Sequence, residues 1–268
     1  MRSQQSRQLM NLARLFFDRP RDPAPAWAKA VLAVAGGLIF SGVCWIFLAG
    51  SALRWESVWD YRSAFLRGWF TTIQLSAVAL GASLLIGVLA ALARRSTFLP
   101  LRGIAAGYVE LVRGMPLLVL LLFLFYVVAD ALAWRDRMAV GVVALSLFSG
   151  AYIAEIVRAG IGSIGESQRE SARAIGLTTF QTYRYVVFPQ ALRHSLPPLA
   201  GQFASIIKDS SLLSILGITE FTFAAQQVNS ATFSTLEAFL PLAVGYLVLT
   251  VPVSFASRAL ERRLRFET

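Results

Sequence analysis

The chain is predicted to be an all-α polytopic membrane protein with about six transmembrane helices and both termini cytoplasmic. Three observations carry that prediction. Composition is the first: 56% of the 268 residues are hydrophobic and only 15% are charged, too few to give each helix of a soluble core a polar face. The second is distribution. Apolar residues run in blocks at 30–50, 69–93, 115–133, 138–154, 199–218 and 239–256, each near the ~20 helical residues that cross a ~30 Å hydrocarbon layer. The third is charge placement. With six spans, segments 1–29, 94–103, 158–193 and 258–268 share one side and hold 18 Lys/Arg, against 5 in 51–67, 134–137 and 219–236. The positive-inside bias places the first set, termini included, in the cytoplasm.

Taken in order, residues 1–29 form a cytoplasmic tail in which Leu9, Leu12 and Phe16 share a helical face between Arg7, Arg14 and Arg19. Such a tail either lies in the headgroup plane, against membrane lipid, or stays disordered. The block at 30–50 follows this charged, proline-bearing tail, is longer than a signal-peptide core and lacks an A-x-A-like exit, so it reads as a retained helix. Cys44, the only cysteine, lies inside it and forms no intrachain disulfide. Spans 69–93, 115–133, 138–154 and 239–256 are plain apolar runs. The span 199–218 is interrupted at its centre by Lys208-Asp209-Ser210-Ser211.

Ionisable residues inside spans are costly and mark function by default. Glu110 and Arg113 stand three apart at the cytoplasmic start of the third span, just before Gly114 and Pro116, and Glu155 and Arg158 repeat that spacing at the cytoplasmic end of the fourth. Each pair either neutralises itself at i, i+3 or cross-links the two helices. The role is either to fix helix depth or to gate a charged solute. Lys208-Asp209-Ser210-Ser211 falls near the bilayer midplane. A polar break at that depth is either a locally opened helix lining a solute cavity or a polar clasp between helices.

The segment QRESARAIGLTTFQTYRYVVFPQAL (168–192) is too polar for a span. It reads as a helix capped by Ser163 or Ser167 and stopped at Gly176, then a second helix capped by Thr178 or Thr179 and broken at Pro189. Ala172 and Ile175 share one face and Arg169 and Arg173 another. Pro197-Pro198 starts the next membrane helix. Together these make a rigid, small-faced helix below the membrane, suited to docking another protein.

Other chemistries are excluded. There is no G-x-x-x-x-G-K-[ST] loop, and neither Lys29 nor Lys208 follows a glycine, so ATP is not bound by that device. One histidine, His194, cannot build a His-based metal cluster or triad. The basic charge is topological and not interleaved with stacking aromatics, which excludes nucleic acid.

The arrangement Glu170-Ser171-Ala172, Gly176, nine further residues and Val186-Val187-Phe188-Pro189 resembles the E-A-A-x-x-x-G … I-x-L-P cytoplasmic loop of ATP-binding-cassette importer permeases. Ser171, Val186 and Phe188 depart from that pattern conservatively. The stretches TTIQLSAVALGASLLIGVLAALAR (71–94), YVELVRGMPLLV (108–119), AEIVRAGI (154–161), FPQALRHSLPPL (188–199) and IKDSSLLSILGITE (207–220) are similar to the polar amino acid and opine branch of that family. The resemblance implies a five-helix permease domain over 68–262, with its coupling loop at about 160–192 and one extra N-terminal helix at 30–50. It implies a subunit of the bacterial inner membrane that is not itself an enzyme. A second permease, the same or a paralogous chain, completes the translocation path. Separate ATPase subunits bind ATP and Mg and dock on the 166–177 helix through Glu170, Ser171, Ala172, Arg173 and Gly176. A periplasmic or extracellular solute-binding protein delivers the substrate. The rival reading, an ATP-independent secondary transporter of small polar solutes, lacks the internal repeat such folds carry.

Overall fold

The computed structural model describes residues 31, 34–38, 41–42 and 55–264. Residues 1–53 and 54–268 form two separate compact units. In the first, the described residues are helical and fall within the predicted 30–50 span. The tail 1–29 and Cys44 lie outside the described residues.

The second unit is all-helical among its described residues. Its elements are α1 (Trp55–Trp59), α2 (Arg62–Ala93), α3 (Leu99–Gly114), α4 (Leu117–Phe123, extended by a π-turn over Leu124–Ala129), α5 (Arg137–Gly162) and α6 (Glu166–Ala174). There follow α7 (Thr179–Thr182, with a π-turn over Tyr183–Val187), α8 (Phe188–Asp209, with a 3-10 segment Ser210–Leu216), α9 (Phe221–Thr232) and α10 (Thr235–Leu264). Among the described residues three helices are long and apolar enough to cross a membrane: α2, α5 and α10 to Glu261. The pair α3 and α4–π-turn makes a fourth if taken together, bent by 112°. The bend has a local cause. Met115 precedes Pro116 and is forced into extended backbone, φ −118° and ψ 151°, because the proline ring excludes the helical region for its predecessor.

The core is built on the contact between α2 and α5. Lipid tails are as apolar as leucine, so membrane helices associate through close packing and polar bonds, and small residues permit both. The buried face of α2 carries Thr72, Ser76, Ala79, Ser83, Gly87, Ala90 and Ala91. The buried face of α5 includes Ala144, Ser146, Ser149, Gly150, Ala151 and Ala154. A Cβ added to Gly87 would stand 2.5 Å from Ile153 Cγ2 and 2.9 Å from the Gly150 carbonyl oxygen. Tyr108 of α3 closes the same corner by donating to the Leu147 carbonyl at 2.6 Å. Leu75, Ala79, Leu117, Leu121, Ala144, Leu145, Ile206 and Leu213 form the main cluster.

Three expectations about the last third of the chain are corrected. The span 199–218 is not one helix: α8 ends at Asp209, a tight 3-10 segment follows, and Gly217 turns the chain in the left-handed region at φ 71°. Pro197 and Pro198 lie inside α8 rather than at its start. Pro189 does not break the chain either. The wider π-turn just before it lets the backbone run from α7 into α8, relieving the clash a proline makes with the preceding turn, and Gln190 Nε2 donates to the Val186 carbonyl at 3.0 Å.

Gly87→Val should lower the unfolding midpoint of the detergent-solubilised protein, at a cost of about 1–3 kcal/mol from overpacking. Gly81→Ala, in the same helix but with nothing near its added Cβ, should be neutral. Equal effects of the two in a thermal-shift series would show that the α2–α5 contact is not tight.

Candidate functional site

The α6–α7 element. α6 begins without a side-chain cap: its N-cap is Gly165, not Ser163 or Ser167. The Ser163 hydroxyl instead donates back to the Gly160 carbonyl at 2.8 Å. The helix is held by arginines. Arg169 Nη2 donates to the Ile161 carbonyl at 3.1 Å, and Arg173 Nη2 pairs with Glu166 Oε1 at 2.8 Å. It ends as predicted at Gly176, φ 84°. There the Leu177 N–H returns to the Ala172 carbonyl at 3.1 Å and the Gly176 N–H to that of Arg173 at 2.9 Å, the paired bonds of a left-handed helix stop. Thr178 then caps α7 in a reciprocal box with Gln181.

Ala172 and Ile175 do not share a face. Ala172 is buried, whereas Ile175 is 77% exposed and Phe180 75% exposed. Helix α6 therefore offers Glu170, Ser171, Arg173 and Ala174 to solvent, with two large apolar side chains beside them. This is a mixed polar and apolar knob, exposed on the surface of the chain.

The charged cluster. Both sequence options for the ion pairs are partly realised. Glu155 and Arg158 pair within α5, with Arg158 Nε to Glu155 Oε2 at 2.9 Å and a second contact from Nη2 to Oε1. The same carboxylate also receives Arg94 Nη1 at 3.1 Å and Arg113 Nη1 at 3.7 Å. Glu155 thus joins the C-terminal ends of α2 and α3 to the last turns of α5. Glu110 pairs with Arg94 Nη2 at 3.7 Å, and Arg113 lies over the Tyr152 ring at 5.4 Å. Arg94 is the residue sequence reasoning missed. Its partners, Glu110 and Glu155, lie 16 and 61 positions away, beyond any local spacing rule. Beside the cluster a cavity of about 410 Å³ is lined by Arg113, Tyr152, Glu155, Ser163, His194 and Pro198 among others.

The polar break. Lys208 and Asp209 close α8, and Ser210 and Ser211 open the 3-10 segment. Lys208 is exposed, Asp209 and Ser211 are half-buried, and Ser210 is buried, with its hydroxyl donating to the Ile207 carbonyl at 2.8 Å. Ile206 and Leu213, on either side, pack in one cluster with Leu75 and Ala79 from the central turns of α2. The break therefore sits against the middle of the longest membrane helix.

A second missed residue stands just beyond. Glu220 is fully buried and caps α9 by accepting the N–H groups of Phe223 at 2.8 Å and Thr222 at 2.9 Å. It also accepts from the Tyr246 hydroxyl of α10 at 3.1 Å and the Thr72 hydroxyl of α2 at 3.4 Å. Burial pushes its carboxyl above the ordinary range, while these donors pull the other way. Its position one turn past Gly217, just before an apolar helix, was a readable capping signal.

With this geometry in hand, comparison with known proteins is direct. A family model described as "Binding-protein-dependent transport system inner membrane component" matches residues 83–266. The chain is 35% identical over 207 residues to a protein named as the probable glutamine ABC transporter permease protein GlnM of Bacillus subtilis (strain 168), covering 77% of this chain and 96% of that one. It is 36% identical over 213 residues to the glutamine transport system permease protein GlnP of Escherichia coli (strain K12), covering 79% and 97%. Among solved structures it superposes on a chain of an amino acid ABC transporter crystallised with histidines, with TM-score 0.74 and 34% identity, covering 80% of this chain and all of the other. The three-span core with its bent pair, the exposed α6–α7 knob and these matches belong together: the chain is a member of the binding-protein-dependent transport system inner membrane component family.

Proposed function

We propose that this chain is the permease subunit of an ATP-driven importer for polar amino acids or closely related compounds, working in the bacterial inner membrane. A separate ATPase, carrying ATP and Mg, docks on residues 166–177. A second permease completes the path, and a solute-binding protein loads it from outside. The observation that carries the reading is the knob itself. Glu170 and Arg173 on α6, Ile175 at its end and Phe180 on α7 stand exposed on an element stopped at Gly176 and recapped at Thr178, so force applied there moves the element as a body. The substrate class rests on the relatives named for glutamine transport.

The physical route runs along α8. From the π-turn at Tyr183 the chain continues helically to Asp209, and the 22 residues of α8 span about 33 Å. A displacement below the membrane is therefore delivered at Lys208–Ser211, in the proposed solute path. Alternating access then needs only that nucleotide-driven closure of the ATPase favour one of two α8 positions. At the inner end the cluster Glu110, Arg113, Glu155 and Arg158, completed by Arg94, forms the proposed gate. Its two carboxylates and three guanidinium groups leave formal charge +1, suited to a carboxylate-bearing solute.

The reading is tested by reconstituting the chain with its co-purifying partners, identified by mass spectrometry from a mild detergent extract, and following labelled glutamine uptake. Glu170→Lys and Gly176→Val should each abolish uptake and loosen ATPase co-purification while membrane insertion stays normal. Normal uptake and normal co-purification in both would refute the docking assignment. Asp209→Asn should shift the concentration dependence of uptake several-fold with assembly intact, and an unchanged dependence removes 208–211 from the path. Glu155→Gln should cost about 1.5–3 kcal/mol of stability through weakened charge-assisted bonds and cut uptake. Glu110→Gln, whose side chain is 76% exposed and makes one long contact, should change stability by less than about 1 kcal/mol.

A further inference from the structure

Arg94 and Arg95 are neighbours with opposite assignments. The turn that ends α2 is fixed by Arg94 N–H to the Ala90 carbonyl, Arg95 N–H to Leu92 and Ser96 N–H to Ala93, each at 3.0 Å. From this one turn Arg94 reaches into the inner cluster, to Glu155 at 3.1 Å and Glu110 at 3.7 Å. Arg95 points the other way. Its Nη2 donates to the Tyr183 hydroxyl at 2.9 Å, and its guanidinium lies 6.0 Å from the Tyr183 ring centre. Tyr183 opens the π-turn between the docking element and α8, seven residues past Gly176 and five before α8 begins.

We infer that Arg95 and Tyr183 form a strut tying the root of α8 to the end of α2, so that movement of the docking element reaches the Glu155 cluster as well as the far end of α8. Arg95 is in this sense a positioning residue for transport and contacts no solute. The inference rests on the proposed docking role of residues 166–177. Two observations favour a transmitting role over a stabilising one. The pair is solvent-exposed, where water competes for both partners and the bond adds little to stability. It also spans 88 positions, linking the segment proposed to move to the same turn that holds the charged cluster. The planar guanidinium suits the task, since its fixed fork donates to the hydroxyl in a set direction.

The test uses the complete permease–ATPase complex in lipid nanodiscs and needs no solute. Spin labels at Leu111→Cys and Leu192→Cys, both exposed positions, are placed in a Cys44→Ser background to report the distance between α3 and the root of α8. The change produced by ATP with vanadate is then measured. Arg95→Ala and Tyr183→Phe should each reduce that change by half or more, with the ATPase still bound and hydrolysing. The double variant should do no worse than either single one, and Arg95→Lys should recover part of the change. A wild-type distance change in Arg95→Ala and Tyr183→Phe overturns the strut. Loss of the ATPase from Tyr183→Phe also overturns it, by making Tyr183 part of the docking surface. Failure of the docking reading looks different: Glu170→Lys then retains the ATPase and the full distance change, whatever the Arg95 variants do.

Discussion

Everything in the second unit depends on how closely α2 and α5 approach. In a bilayer no hydrophobic force brings two helices together, so contact must come from fit, and here fit means the absence of side chain at Gly87 against Ile153. That approach brings the last turn of α2 beside the inner half of α5 and so places Arg94 within reach of Glu155. Further along, it leaves Thr72 of α2 positioned to meet Glu220, which in turn anchors α9 and α10. Two polar sites at opposite ends of one helix thus rest on a single small-residue seam.

Against this fixed seam stands α8, a helix of a different kind. It begins in a π-turn, contains Pro197 and Pro198, and ends in a 3-10 segment. Each departure removes or lengthens regular backbone bonds. A neighbour adds a bond at the same level: Ser257 of α10 donates to the Pro197 carbonyl at 3.2 Å.

The legibility of this molecule in its sequence follows from range. Where the cause is local, reading succeeds. The unbroken apolar runs of α2, α5 and α10, the left-handed stop at Gly176 and the Thr178 cap all depend on a few neighbouring residues. Helix α3 was hidden because Arg102, Glu110 and Arg113 make 99–114 look like a loop with a span starting after it, although Pro116 announced the bend. The prolines at 189, 197 and 198 stand inside continuous helical backbone, Pro189 behind a widened turn, and local pattern announces neither that turn nor the course of α8 through Pro197 and Pro198. Glu155 was visible as half of an i, i+3 pair. That the same carboxylate serves three helices was not, since Arg94 is distant in sequence, and the burial of Ala172 beneath an exposed Ile175 depends on what α6 rests upon.

The shared carboxylate has a consequence for the number of independent motions available. Separating α2 from α5 here would break the Arg94–Glu155 bond, a charge-assisted bond of about 1.5–3 kcal/mol, while α3 is held to them by longer ion pairs at 3.7 Å of about 0–1 kcal/mol each. Those three ends therefore behave as one body, with a single set of coordinates among them. Helix α8 contributes no group to that knot. It meets that body by packing instead, with Ser195 and the Ala191 carbonyl set against Gly160 of α5 and Tyr183, just before its root, bonded to Arg95.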